Sequence, residues 1–282
     1  MVKVVAIIQV RTNSTRLPNK IFKNLPFFSK ETLLSNIVLR LKEIKEINNI
    51  VIATTSEEKD DVVEEYCKKN NILFYRGSEK NVLERYYETA KYYGADVILR
   101  MTGDNPIIDV SIIRDVLSKF LKDNKIDYLK TKNLPLGMGV EIFNFKSLEK
   151  NYKNSILDYE KEHVTPYFYK TNPKYFNIIE IEKENSEEIS NIRLTVDCIE
   201  DYIFICCLFD ELYLKNKIFG LEEIKELKTQ KPWIFQINNS IEQKRVCNSL
   251  EEEIEEAIKL LNKQDLNRVE KYLKEKYYEK DK

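Results

Sequence analysis

The sequence predicts an α/β fold: a Rossmann-like, mainly parallel sheet with helices on both faces, mixed C-terminal strands and a C-terminal helical extension. Short apolar, β-branched runs alternate with longer amphipathic stretches as far as residue 131, which is typical of successive βαβ units. The chain has 282 residues and is 43% hydrophobic, which is enough to bury a full core. No stretch approaches the roughly 20 consecutive apolar residues of a membrane span.

The alternation predicts the first nine elements in order. Strands are predicted at 2–9, 49–54, 72–75, 96–100 and 127–131, and helices at 33–44, 59–70, 81–93 and 111–122. Right-handed crossovers between parallel strands place such helices on both faces of the sheet. Ligands of these folds bind at the carboxyl ends of the strands. We therefore expect the functional residues in the segments that follow the strands.

The pattern becomes less regular after residue 131. Strands are predicted at 139–144, 176–181 and 192–196, and a helix from 199 to about 215. Residues 249–282 show an almost continuous helical pattern with a hinge at 262–265. We divide the chain into a main domain, 1–245, and a charged helical tail, 246–282. The tail is either a solvated helical pair or the arm of a homodimer.

Composition excludes several classes of protein. Forty-six Lys and Arg against 47 Asp and Glu give a net charge of -1, so the chain lacks the basic field of a non-specific nucleic-acid binder. Five cysteines without CxxC spacing argue against a disulfide framework and a zinc site. With neither a signal peptide nor a membrane partner expected, we predict a soluble, cytoplasmic protein. His163 is the only histidine, so any bound metal would need carboxylate ligands.

The segment after the first strand is the strongest local signal. It contains an amide, a hydroxyl and three cations in Gln9, Arg11, Ser14, Arg16 and Lys20. Backbone N–H groups at a strand end can form a nest for phosphate, and such side chains can clamp it. A solvated basic loop is the alternative. The segment matches neither the dinucleotide fingerprint nor the P-loop.

Residues 6–11 with 14–18 and Lys20 resemble the opening signature of the cytidylyltransferases. This family includes the CMP-KDO synthetases, the acylneuraminate cytidylyltransferases and the spore coat polysaccharide biosynthesis protein F family. The resemblance implies that the loop wraps the triphosphate, with Arg11, Ser14, Arg16 and Lys20 on the phosphates and Gln9 also at the nucleotide. It further implies that Arg11, Arg16 and Lys20 are the catalytic cations.

The resemblance continues along the chain in the same order. Residues 51–55 resemble the second strand, and 74–78 with 81–86 resemble the segment that approaches the base and ribose. Arg76 is the expected base contact, because a planar donor fork fits the acceptor edge of cytosine. Asn81 is expected to position the nucleotide. For Arg85 and Tyr86, packing and ligand contact both stay open.

Two aspartates are the expected magnesium ligands. Asp104 follows a predicted strand in a Gly-Asp turn, where Gly103 relieves crowding, and Asp197 follows another. One Mg²⁺ bridging phosphates needs only one or two protein carboxylates. The resemblance implies that Asp104 binds the metal and the nucleotide. The alternative for Asp197 is capping of the next helix, and Asp109 is expected to cap the helix after Asp104.

Segments 134–143 and 159–167 resemble the acceptor side of the family. Arg100, Glu141 and His163 are the expected acceptor contacts, although a lone histidine also suits a structural hydrogen bond. The sequence departs from the family at Gly139, where an aspartate is usual, so the identity of the acceptor stays open.

These observations together predict transfer of CMP from CTP to a small acidic or phosphorylated acceptor, with Mg²⁺ and release of pyrophosphate. The setting implied by the resemblance is the synthesis of surface polysaccharide or glycan precursors. Two alternatives remain: a nucleotide-sugar-dependent glycosyltransferase, and a non-catalytic protein that binds sugar nucleotides. The sequence does not decide the acceptor or a strict preference for CTP.

Overall fold

The computed structural model describes residues 2–241, 247 and 249–277. The chain forms two compact units, one up to Ser240 and one from Ile241 onward. The boundary predicted between residues 245 and 246 lies outside the described residues. Among the described helices, none is both long and apolar enough to span a bilayer.

One seven-stranded sheet organises the first unit. Its strands are β1 (Val4–Gln9), β2 (Asn49–Thr55), β3 (Leu73–Gly77), β4 (Val97–Thr102), β5 (Tyr128–Lys132), β6 (Glu141–Asn144) and β7 (Ile178–Glu182). They lie in the order β3-β2-β1-β4-β6-β5-β7. Strands β1 to β4 pair with one another in parallel, whereas β6 is antiparallel to both β4 and β5, and β7 is parallel to β5. The predicted mainly parallel sheet with a mixed extension is confirmed.

Nine helices accompany the sheet in this unit. They are α1 (Leu33–Lys42), α2 (Asp61–Lys69), α3 (Val82–Tyr92), α4 (Val110–Lys122), α5 (Phe145–Asn154), α6 (Asp158–His163), α7 (Glu187–Ser190), α8 (Ile199–Leu212) and α9 (Leu221–Gln230). Side chains cap several of them at the amino end, as is usual for Thr, Asn and Asp. Asp109 caps α4 as predicted, with its carboxylate accepting from the amide of Ile112.

The central strand β1 shows why helices cover both faces. Val4, Ala6 and Ile8 pack in the core with α1, α4, α8 and α9, whereas Val5 and Ile7 pack in a second core with α3 and α5. Successive strand residues point to opposite faces, so an apolar run without alternation is buried on both. Helices on both faces were predicted, and this packing confirms them.

The region after β5 departs from the sequence prediction. Residues 192–196, predicted as a strand, join no strand of the sheet and form only an isolated bridge between Arg193 and Leu136. The amide of Val196 instead donates to the carbonyl of Asp104 at 2.8 Å. The prediction was wrong because alternating apolar residues also fit a buried extended segment. This segment carries Asp197 to the end of β4.

The second unit contains α10 (Leu250–Lys263) and α11 (Asn267–Tyr277). Ser249 caps α10, and Asp265 has a left-handed backbone between the two helices. The predicted helical tail with a break near 262–265 is thus present, except for its residues that lie outside the described part. Leu250, Leu266 and Val269, apolar positions predicted on one side of the helical tail, are about half exposed. Burial of these side chains, in a homodimer or otherwise, stays a prediction.

Candidate nucleotide-binding site

The ends of β1 and β4 lie side by side at the carboxyl edge of the sheet. Gln9 pairs with Thr102 in the ladder, and the amide of Gly103 donates to the carbonyl of Gln9 at 2.9 Å. A Cβ on Gly103 would lie 2.5 Å from the side chain of Val10. Glycine is therefore needed so that the first loop and the acidic turn can approach each other. The crowding that Gly103 relieves is with the side chain of Val10.

The loop after β1 is closed by its own backbone. The carbonyl of Thr12 accepts from the amides of Ser14 and Asn19 at 2.9 and 3.1 Å. Asn19 adopts the left-handed conformation just before a short 3₁₀ turn, Lys20–Phe22. This return of the chain places Arg16 on the loop and brings Lys20 back against the sheet.

Lys20 joins the two predicted metal ligands. Its ammonium donates to the carbonyl of Val196 at 2.7 Å, to Oδ1 of Asp197 at 2.9 Å and to Oδ2 of Asp104 at 3.2 Å. Lys20 is only 9% exposed, so its charge faces these oxygens and not bulk water. The structure therefore brings Lys20, Asp104 and Asp197 together, with Lys20 on the carboxylates.

Two arginines complete the surroundings of Asp197. Nη2 of Arg193 lies 2.7 Å, and Nη2 of Arg16 3.4 Å, from Oδ2 of Asp197. Burial alone would raise the pKa of Asp197, but Lys20 and Arg193 outweigh it and hold that pKa below its ordinary value. We call Lys20, Asp104, Asp197, Arg16 and Arg193 the Lys20 cluster.

Asp201, and not Asp197, serves the start of α8. Oδ2 of Asp201 accepts from the amides of Asp197 and Cys198 at 3.0 and 3.3 Å. Asp201 also binds Nε of Arg193 at 2.9 Å and the amide group of Asn238 at 2.9 Å. This buried network, which the sequence prediction missed, holds Arg193 against Asp197. The only indication of this network in the sequence was that charged residues interrupt an apolar stretch.

The two carboxylates of the cluster fit a magnesium ion. Because Asp104 and Asp197 contact one ammonium, their oxygens reach a single cation-sized position, and Asp104 is further oriented by the hydroxyl of Thr102 at 2.6 Å. Within the described part of the chain, no three His, Cys, Asp or Glu side chains are grouped to hold a metal. A Mg²⁺ ion bound here would therefore complete its coordination shell with substrate oxygens and water.

Arg11 stands at the exposed start of the same loop.

Arg85 on α3 is buried, and burial lowers its pKa, with the charge of Arg11 contributing in the same direction. Arg85 donates to the carbonyl of Ser78, and the hydroxyl of Tyr86 to that of Met101 at 2.6 Å. Both residues left open by the sequence are thus engaged in packing between α3 and the strand ends.

Arg76 and Asn81 are engaged elsewhere in this structure. Arg76 binds Glu64 at 2.8 Å and Asp61 at 2.6 Å, and it donates from Nε to the carbonyl of Thr55 at 3.0 Å. Asn81 caps α3 by accepting from the amide of Glu84 at 3.0 Å. Neither belongs to the Lys20 cluster. A base contact from Arg76 stays a prediction and would require its guanidinium to exchange partners.

Two of the three predicted acceptor residues contact each other, and the third, His163, lies within range of the charge of Arg100. Arg100 on β4 faces Glu141 on β6 and forms an ion pair with it, and the hydroxyl of Tyr128 donates to the same carboxylate. Burial alone would raise the pKa of Glu141, but Arg100 and Tyr128 hold it below its ordinary value. Burial lowers the pKa of His163, and the nearby charge of Arg100 adds to this effect.

The ion pair belongs to a longer line of alternating charge across the sheet. Lys130 on β5 is the register partner of Glu141 and of Glu180 on β7, and its ammonium lies 2.9 Å from Glu180. We call Arg100, Glu141, Lys130 and Glu180 the charge row. Two residues before Glu141, a Cβ on Gly139 would meet nothing within 4 Å, so an aspartate there would not be excluded by space.

Comparison with known proteins agrees with this geometry. Residues 5–254 match the family model described as cytidylyltransferase. An uncharacterised protein of Methanocaldococcus jannaschii is 38% identical over 242 residues, covering 86% of this chain and 97% of its own. The spore coat polysaccharide biosynthesis protein SpsF of Bacillus subtilis is 34% identical over 210 residues, covering 73% of this chain and 85% of its own.

A solved structure shares both sequence and fold. The structure of a cytidylyltransferase from Leptospira borgpetersenii is 36% identical and superimposes with a TM-score of 0.77 over 86% of this chain and 100% of its own. The match of the family model over most of the chain, together with the loop and acidic turn at the strand ends, settles the family. The chain belongs to the cytidylyltransferase family and is a nucleotidyltransferase.

Proposed function

We propose that this enzyme transfers CMP from CTP to a small acidic or phosphorylated acceptor and releases pyrophosphate, with Mg²⁺. The observation that supports this most is that Asp104 and Asp197 both contact the ammonium of Lys20, while Arg16 of the same loop also contacts Asp197. Membership of the family supports CTP as the donor. The likeness to the Bacillus subtilis protein supports a place in surface polysaccharide or glycan precursor synthesis, and we propose that the enzyme acts in the cytoplasm.

The reaction is an in-line displacement at the α-phosphorus. An oxygen of the acceptor forms the new P–O bond while the bond to the β-phosphate breaks and its electrons leave with pyrophosphate. Catalysis of such transfers depends mainly on positioning and on neutralisation of charge. Arg11, Arg16 and Lys20 are the cations that this loop offers to the triphosphate, and Ser14 and Gln9 line its start. A phosphate or phosphonate acceptor attacks through an oxygen that is already ionised and needs little help from a general base, whereas an acidic sugar that attacks through a hydroxyl also releases that proton to solvent.

Asp104 and Asp197 would hold the metal. Bound Mg²⁺ supplies neutralisation of charge on phosphate oxygens. In this structure Lys20 occupies both carboxylates, so metal binding requires the ammonium of Lys20 to turn from carboxylate to phosphate. The same residue is then both the counter-ion of the free enzyme and a clamp for the nucleotide.

The acceptor would lie against the mixed part of the sheet. Arg100 is held in place by Glu141, which also accepts from Tyr128. His163, with its lowered pKa, is a neutral imidazole at pH 7 and can donate or accept a hydrogen bond. The roles of Arg100, Glu141 and His163 at the acceptor follow from this placement and from the resemblance to the family.

A single experiment separates the proposal from its alternatives. The protein is mixed with Mg²⁺, a panel of sugar acids, sugar phosphates and phosphonates, and either one of CTP, UTP, ATP and GTP or, in parallel reactions, a nucleotide sugar; released pyrophosphate and released nucleotide are both measured. We expect release with CTP and with an acidic acceptor. A glycosyltransferase would instead release a nucleotide from a nucleotide sugar and no pyrophosphate. A binding protein would release neither, and either result would contradict the proposal.

A further inference from the structure

Asp60 is a fully buried carboxylate whose bonds go to the nucleotide loop. Its Oδ1 accepts from the amide of Thr12 at 2.8 Å and from the hydroxyl of Thr12 at 2.6 Å. Its Oδ2 accepts from the hydroxyl of Thr55 at the end of β2. The carboxylate therefore ties the first loop to the neighbouring strand.

The position of Asp60 makes this arrangement unusual. Asp60 precedes α2 at the N-cap position, where an aspartate commonly accepts from the first amides of the helix. Here its side chain makes no capping bond and is turned to Thr12. A buried charge is costly unless it is hydrogen-bonded, and the three donors that satisfy it all come from outside α2. Capping of α2 therefore does not explain why an aspartate is buried at this position.

Thr12 passes the constraint on to the rest of the loop. Its amide and hydroxyl are held by Asp60, while its carbonyl accepts from the amides of Ser14 and Asn19. These two bonds close the loop around Arg16 and lead directly to Lys20. One carboxylate, acting through one residue, therefore fixes both ends of the segment that carries the phosphate-binding cations.

We propose that Asp60 is a positioning residue that sets the affinity for CTP by holding the loop of residues 12–19 in its closed shape. The proposal rests on the function proposed above, because it takes this loop to bind the triphosphate. Preorganised donors bind a ligand more tightly since they need no ordering on binding. Loss of the anchor should therefore weaken binding of the triphosphate and leave the acceptor side, on β4 and β6, unchanged.

The experiment compares four variants by initial rates of pyrophosphate release. Asp60→Ala removes the anchor, whereas Thr12→Val removes only the hydroxyl bond and leaves the amide of Thr12 bound to Asp60. We expect the KM for CTP to rise by about tenfold for Asp60→Ala, the scale of a lost hydrogen bond to a charged group, and by less for Thr12→Val. The KM for the acceptor should stay within about twofold. Asp60→Asn and Thr12→Ser should recover most of the CTP affinity, because Asn can accept from Thr12 and donate to Thr55, and Ser keeps the hydroxyl.

Asp109 offers a matched control. It is also buried, and it accepts from the amide of Ile112 at 3.0 Å, the hydroxyl of Ser111 at 2.7 Å and the amide of Leu221 at 2.8 Å. Its bonds join α4 to α9 and do not involve the first loop. Asp109→Ala should lower the melting temperature yet leave the KM for CTP unchanged. An equal rise in KM for this variant would show a general loss of stability and overturn the proposal.

Direct binding separates the two proposals and covers a poorly folding variant. If the wild-type protein binds no CTP in titration calorimetry, the proposed function fails, and the inference about CTP with it. If it binds CTP and Thr12→Val binds equally well, only the role of Asp60 fails. Hydrogen exchange adds an independent readout. The amides of Ser14 and Asn19 should exchange faster in Thr12→Val than in Thr12→Ser. Equal exchange rates would contradict the proposal that Asp60 holds the loop through Thr12.

Discussion

The Lys20 cluster and the charge row are both arrays of alternating charge, yet they are built in different ways. The cluster joins loop and turn residues far apart in sequence, since Lys20 contacts Asp197 across 177 positions. The row lies on neighbouring strands, and the sheet register fixes each partner, as for Arg100 and Glu141. Side chains on loops can exchange partners when a ligand arrives, whereas side chains held by strand register are fixed before it arrives.

This difference separates function from stability in the two regions. Changes at Asp104, Asp197 and Arg16 should affect turnover and nucleotide binding more than folding, because by our proposal these groups meet the substrate or the metal. Changes at Arg100 or Glu141 should also affect folding, because removal of one partner leaves the other charge largely buried and without its counter-ion. The predictions below test this division.

The largest effect is expected for the carboxylates of the Lys20 cluster. Asp104→Asn and Asp197→Asn keep the size of the side chain but remove a charge that faces Lys20 and, by our proposal, the metal. Turnover should fall by on the order of 100-fold or more, the scale for loss of one electrostatic group in an active site. Pyrophosphate release across a series of Mg²⁺ concentrations measures it.

Two results would count against this prediction. Near-normal turnover of either variant at limiting Mg²⁺ would remove that residue from the metal site. Loss of the circular dichroism signal would show unfolding in place of a catalytic defect. The paramagnetic signal of Mn²⁺ supplies a readout besides activity, because both variants should leave more of the ion free in solution than the wild-type protein does.

The next effect tests the charge row. Glu141→Gln keeps an acceptor for Tyr128 but leaves the guanidinium of Arg100 without its counter-ion. We expect the free energy of unfolding to fall by about 2 kcal/mol, less than for a fully buried pair, because the two side chains are 18% and 20% exposed. Urea unfolding measures it. Glu180→Gln is the control at the exposed end of the row, where the expected loss is below about 1 kcal/mol. Equal losses would mean that burial does not distinguish the two pairs.

A smaller effect is expected at Arg16, which lies on the exposed side of the Lys20 cluster. Arg16→Ala removes a cation 3.4 Å from Asp197 and, by our proposal, a contact to the triphosphate. Affinity for CTP should fall by about 1 to 3 kcal/mol, as for a lost hydrogen bond to a charged group. The melting temperature should barely change, since exposed ion pairs contribute little. Unchanged CTP affinity in titration calorimetry would remove Arg16 from the clamp.

The same contrast explains what could be predicted from the sequence. The parallel strands β1 to β4 and their helices followed from the alternation of apolar runs with amphipathic stretches, because each unit repeats a local pattern. In the mixed region the strands predicted at 139–144 and 176–181 and the helix predicted from 199 are present as β6, β7 and α8. However, α5, α6 and α9 were not predicted, and residues 192–196 have the alternation of a strand but pair only with Leu136. Local patterns cannot indicate which distant segment an extended chain will contact.

The candidate site shows the same limit. The resemblance identified the first loop, Asp104 and Asp197, and strand ends explained why they should meet. It did not predict that Lys20 would bind both carboxylates, or that Arg76 would be engaged by Asp61 and Glu64. These outcomes depend on competition among charges brought together by tertiary contacts. Asp60 likewise had no local signal, because an aspartate before a helix is normally taken as its cap.

The smallest effect concerns His163, whose pKa is lowered by burial and by Arg100 against the opposing charge of Glu162. The unfolded chain, with a histidine pKa of about 6.5, binds more protons than the folded protein in the window just below that value. The free energy of unfolding should therefore rise with pH from about 5 to 7. The stabilising contribution of the neutral His163 is lost as the pH falls through the lowered pKa. Above pH 7 the imidazole is neutral in both states.

His163→Gln removes this titration without adding a charge. Because His163 is the only histidine, the difference in free energy of unfolding between the two proteins isolates one group in this range of pH, while carboxylates contribute equally to both. Urea unfolding at several pH values should show a shallower rise for the variant between pH 5 and 7 and parallel curves above about 7.5. A steeper rise for the variant would mean that the folded protein favours the imidazolium, and a neutral His163 at the acceptor would then be wrong.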